Sequence, residues 1–128
     1  GLLPPDSPLL DLQIGLFDQA IQHLRTACTL RPTFPYTWTH LALAKSGRNA
    51  ADDELWHALD QAMRYGRHEA ALQPALTEIA LKHWGQIGAQ RQQAVADMIA
   101  NAKPAYQPGL RSMAEKQQIR LPATSMLR

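Results

Sequence analysis

The chain has 128 residues and only one cysteine, Cys28. A single thiol excludes an internal disulfide and a cysteine-rich zinc site. Cys28 falls at a helical position among apolar neighbours and reads as a small core residue. A reactive thiol needs a basic, open setting, and none is declared around it. Aromatic residues are scarce, at 6%, and β-branched residues are sparse, which argues against sheets. No apolar run approaches the roughly 20 residues that span a bilayer. No charged start followed by an apolar core marks a signal peptide. Neither sign of charge dominates, with 13 Lys/Arg against 11 Asp/Glu. Residues 1–64 carry five Lys/Arg and seven Asp/Glu, and residues 65–128 carry eight and four. The basic residues are dispersed, without a tight cluster or interleaved aromatics. No nucleic-acid partner is expected from them.

What the chain has instead is alanine and leucine, within a hydrophobic content of 45%. These favour helices, and the length suits one domain with a modest core. Residues 1–8, GLLPPDSP, read as a loose linker or chain edge, compatible with a membrane anchor upstream. From about Leu9 the pattern turns helical: Leu16, Ala20, Leu24 and Ala27 recur at spacings of four and three, with Phe17, Ile21 and Cys28 widening that face. Pro32 ends this helix by biasing Arg31 away from helical geometry. Thr33 is a candidate N-cap for the next helix, and Pro35 fits its first turn. Trp38, Leu41, Ala42 and Lys45 follow, and Gly47 is a candidate C-cap. Asn49 or Asp52 can cap a third helix, whose stripe is Leu55, Leu59 and Ala62 and whose end is Gly66.

A fourth helix is predicted from about His68 to Trp84. Pro74 is tolerable there only if the helix starts late enough to place it in the first turn. Gly85 and Gly88 break the chain. A fifth helix runs from about Ala89 to Ala102, with Val95, Ile99 and Ala102 as its stripe. A short sixth runs from about Pro108 to Gln118, leaving residues 119–128 as a tail. The fold class is therefore all-α, with five to six helices in antiparallel pairs over residues 9–118.

An internal period runs through these helices. Ala20, Leu24, Ala27 and Pro32 share their spacings with Leu55, Leu59, Ala62 and Arg67, shifted by 35 residues. Val95, Ile99 and Ala102 make a partial copy displaced by a further 40. Trp38-x-x-Leu41-Ala42 lies between the first two copies. This arrangement resembles the tetratricopeptide (TPR) repeat, with Lys45 replacing that family's usual aromatic. Small residues at Ala20, Ala27, Ala42 and Ala62 would let helices approach, with large ones filling the gaps. A plain irregular helical bundle is the alternative. The stretches LRPTFPYTWTHLALAK and ELWHALDQAMRYGRHEAALQPALTEIALKHW also resemble small bacterial TPR-like proteins of the VpsP type. That resemblance implies a role in extracellular polysaccharide production and a periplasmic or membrane-anchored setting.

The residues show little assembled chemistry. Among His23, His40, His57, His68 and His83 there is no His-x-x-x-His and no His-Glu-x-x-His. His40 and His57 sit on adjacent helices, but no carboxylate is spaced to complete a metal site with them. Asp52, Asp53 and Glu54 start a helix and point in different directions, which suits capping better than acid–base work. No Gly-rich phosphate loop and no Gly-x-Ser-x-Gly occurs. Neither cofactor, metal nor catalysis is expected.

The TPR resemblance implies a concave face built from Tyr36, Thr39, Leu43 and Ser46. Leu43 there would favour an apolar peptide or helix. Thr39 and Leu43 stand where chaperone-tail receptors of that family carry Lys and Asn. The opposite reading is that these four residues pack on the adjoining helix. The functional expectation is a protein-interaction scaffold with a peptide or protein partner. A self-associating structural domain is the alternative, because few repeats leave end helices with exposed apolar stripes.

Overall fold

A computed structural model describes residues 8–124. Among them the chain forms helices α1 (Pro8–Leu30), α2 (Pro35–Gly47), α3 (Asp53–Gly66), α4 (Gln73–Lys82), α5 (Trp84–Ile87), α6 (Ala89–Asn101) and α7 (Gln107–Lys116), with no strand. The all-α class is as expected. Of the expected loose segment 1–8, Pro8 opens α1, and residues 1–7 lie outside the described residues. Of the tail, residues 119–124 are non-helical, and 125–128 lie outside the described residues.

Prolines set several boundaries. The α1–α2 turn closes with Phe34 N–H donating to Arg31 O at 3.1 Å, and the Arg31 guanidinium lies 3.8 Å from the Phe34 ring centre. Pro35, Pro74 and Pro108 each occupy the first turn of a helix, where a missing N–H costs nothing. Pro74 thereby explains why α4 begins at Gln73 rather than near His68. The chain before it, residues 68–72, makes turns instead.

The caps correct two expectations. Thr33 is not an N-cap; Phe34 holds that position for α2 and supplies no side-chain bond. Gly47 is not a C-cap either. Asn49 takes the left-handed conformation, with φ of 62°. Asn49 N–H donates to Ser46 O and Ala50 N–H donates to Lys45 O, which closes a Schellman motif. Gly47 serves packing: a Cβ there would stand 2.6 Å from the Phe17 ring. Gly66 is similar, since a Cβ would stand 2.6 Å from the Pro35 Cβ. Asp52 caps α3 as expected, accepting from Leu55 N–H at 3.1 Å.

The core runs along α2, α3, α4 and α6. Leu55, Leu59 and Ala62 on α3, and Val95, Ile99 and Ala102 near α6, are all buried. The first repeat copy differs, because Ala20, Leu24 and Ala27 are only half-buried. α1 packs on α2 alone among its main neighbours, whereas α4 meets α2, α3, α6 and α7. α1 is thus an edge helix and α4 the central one. Leu16, expected on the packed face, is 57% exposed. Cys28 is buried, and that burial pushes its thiol pKa up.

Candidate partner-binding surfaces

The four residues of the expected concave face do not form one open surface. Thr39 is 1% exposed and Ser46 5%. Thr39 turns its hydroxyl back to Pro35 O at 2.8 Å. Tyr36 and Leu43 are half-buried and pack against the core. At Ser46 the face is covered by the end of α4, where Lys82 and His83 reach it. Trp38, assigned to the core, is half-buried; its indole N–H donates to Pro32 O at 2.7 Å. His57 meets the Trp38 ring edge-on at 5.3 Å between centres, while His40 is exposed.

Ser46 instead joins a polar cluster. Its Oγ lies 2.9 Å from His83 Nε2, and His83 Nδ1 lies 3.3 Å from Gln86 Oε1. Lys82 Nζ donates to Ser46 O at 2.7 Å, and the Trp56 ring stands edge-on to the imidazole. Burial holds the His83 pKa below its ordinary value. A hydroxyl–imidazole pair with an orienting amide has the parts of a nucleophilic site. Both side chains are buried, however, and neither lines the clefts described below. The cluster fastens the end of α2 to the α4–α5 corner. Local spacing could not reveal it, because Ser46 and His83 are 37 residues apart.

A second cluster surrounds Lys45, which is 4% exposed. Its Nζ meets Asp52 at 2.6 Å and Glu54 at 3.0 Å. Burial works against the Lys45 charge, but these two carboxylates outweigh it and raise its pKa. Glu54 also receives two bonds of 2.7 Å from Arg25. Hydrogen bonding from Arg25, and then from Lys45, holds the Glu54 pKa down at about 2. The acidic start of α3 therefore does more than cap. It ties α1, α2 and α3 together.

Several concave surfaces lie elsewhere, and two of them have mainly apolar linings. The larger, about 680 Å³, opens between the start of α4 and α7. Ala70, Ala71, Pro74, Tyr106, Leu110 and Met113 line it, together with Gln73, Ala105 and Gly109. No Asp, Glu, Lys or Arg is among them. The Gln73 amide is already committed, donating to Arg67 O at 2.9 Å. Gln107 fixes the far wall by donating to Ala100 O and Ala102 O. Tyr106 stands 52% exposed at the cleft. Its one sequence signal is an aromatic lodged between Pro104 and Pro108. The smaller surface, about 300 Å³, lies between α3 and α6. Leu59, Met63 and Val95 line it, beside an ion pair of Arg91 with Asp60 at 2.7 Å.

Among the described residues, no group of three or more His, Cys, Asp or Glu could hold a metal ion. No helix there is long and apolar enough to cross a membrane. Comparison with protein-family models, curated proteins and solved structures returned no match.

Proposed function

We propose that this chain is a non-enzymatic protein-interaction domain that holds an apolar or aromatic side chain of a peptide partner in the α4–α7 cleft. The observation that carries this reading is the cleft's chemistry: an open apolar trough of about 680 Å³ with an exposed tyrosine and no charge in its lining. Exposed apolar concavities of this kind suit side-chain anchors. The TPR-like repeat reading supports a scaffold role in general. A setting in bacterial surface-polysaccharide production or export is supported by the sequence resemblance to VpsP-type proteins.

Selection of peptides from a random displayed library against the full chain tests the cleft. Binders are expected to share an apolar or aromatic anchor. Tyr106→Ala and Gly109→Phe should each weaken them about tenfold or more, as loss of an anchor contact does. A Cβ at Gly109 meets nothing within 4 Å, so the substituted side chain starts into open space at the cleft. Binders indifferent to both changes would overturn the reading.

A further inference from the structure

Helix α1 carries two apolar faces. Phe17, Ile21, Leu24 and Cys28 form the first, which joins the core. At 100° per residue, Leu9, Leu12, Leu16, His23, Ala27 and Leu30 fall within a second sector about 60° wide. Ala20 lies just beside it. Leu9 is 63% exposed, Leu12 60%, Leu16 57% and Leu30 75%. A scattered exposed leucine needs no explanation. Four on one stripe of one helix form a patch that water opposes.

We propose that this stripe binds the same stripe of a second copy of the chain, antiparallel, about a two-fold axis near Ala20 and His23. The sizes along it are self-complementary in that direction. Leucines lead the stripe, and its second half is His23, Ala27 and Leu30, with the small Ala27 placed to face Leu16. Antiparallel pairing seats Leu16 over Ala27 of the second copy and sets Leu12 beside Leu30. Parallel pairing would instead stack leucine on leucine and leave a gap at the alanines.

Charge points to the same occupant. The stripe contains no Asp, Glu, Lys or Arg. Asp18 and Arg25, the ion-paired residues of α1, turn to Arg48 and Glu54 of their own chain. Two copies can therefore close on each other without burying an ion, and a charged partner would find no complement. An antiparallel pair also opposes the two helix dipoles. α1 has 23 residues, hence a length of about 34 Å. Two such faces cover on the order of 1,000 Å², the low end for a specific interface. The dimer is accordingly one that dissociates on dilution.

Sedimentation of the full 128-residue chain across concentrations tests this. A reversible dimer of the 14.2 kDa chain is expected. Leu16→Arg, and independently Leu12→Lys, should raise the dissociation midpoint about tenfold or more while leaving helix content unchanged. Mixing Leu12→Cys with Leu30→Cys chains under oxidation should give the mixed cross-link in preference to Leu12→Cys with itself. A monomer at every concentration overturns the proposal and leaves the stripe to a different protein. So does a dimer insensitive to both charge substitutions, or one in which Leu12→Cys links mainly to itself. Gly109→Phe should leave the dimer intact, so this result and the cleft result are read separately.

Discussion

Gly66 shows how one residue constrains packing. The ring of Pro35 and the side chain of Leu72 crowd the place where its Cβ would be, at 2.6 and 2.9 Å. A proline ring cannot swing aside as a long side chain can. Gly66→Ala should therefore lower stability by about 1–3 kcal/mol, the usual range for overpacking, read from the midpoint of chemical denaturation. An unchanged midpoint would mean that α2 and α3 can move apart freely. The sequence marked Gly66 and Gly47 as glycines at helix ends, which is where they stand. Their reason was not legible there, because the crowding atoms come from other helices. Lys45 is a similar case. The approach of Asp52 and Glu54 makes its buried ammonium tolerable.

At the scale of elements, the α1–α2–α3 layer is held by the Arg25–Glu54–Lys45 network. Glu54 titrates ordinarily at 4.5, and its folded value is about 2. A depressed carboxylate stabilises the fold above its ordinary value, and that contribution disappears as pH falls toward the folded value. Stability should therefore decline between about pH 4.5 and pH 2. Both partners are partly exposed, at 46% and 32%, so solvent screening keeps the effect small. Glu54→Gln should flatten this part of the profile in thermal melts taken across pH. An equal decline in the variant would assign it to other carboxylates. Helix existence in this layer was readable from the 3.6-residue period and the prolines. The network was not, because its members are separated by 29 residues in one pair and by seven and nine in the others.

Across the whole molecule, the Ser46–His83 contact links α2 to the α4–α5 corner. The groups facing the imidazole are Ser46 from α2, Trp56 from α3, and Lys82 and Gln86 from its own corner. The ordinary imidazole value is 6.5, and burial lowers it here. The unfolded chain then binds a proton before the folded one does. Stability should fall as pH drops below 6.5, and the loss should stop growing once the folded value is passed. Lys82, whose charge also disfavours the imidazolium, acts in the same direction. His83→Gln should remove that slope below pH 6.5, measured by hydrogen exchange of the α2 and α4 amides. A slope that survives the substitution would place its origin elsewhere.

The sequence by itself determined the all-helical class, most helix boundaries and the buried stripes of α3 and α6. Those features follow from short-range causes: proline geometry, side-chain capping and a period of 3.6 residues. Tertiary structure alone decided which apolar faces are covered. It buried Thr39 and Ser46 and brought Lys82 and His83, at the end of α4, onto Ser46. It left Leu12, Leu16 and Leu30 in water by placing α1 at the edge. It built the α4–α7 cleft by setting one face of residues 106–113 against residues 70–74, two stretches distant in the chain. Periodicity reports that a face is apolar, while the relative placement of helices decides what, if anything, covers it.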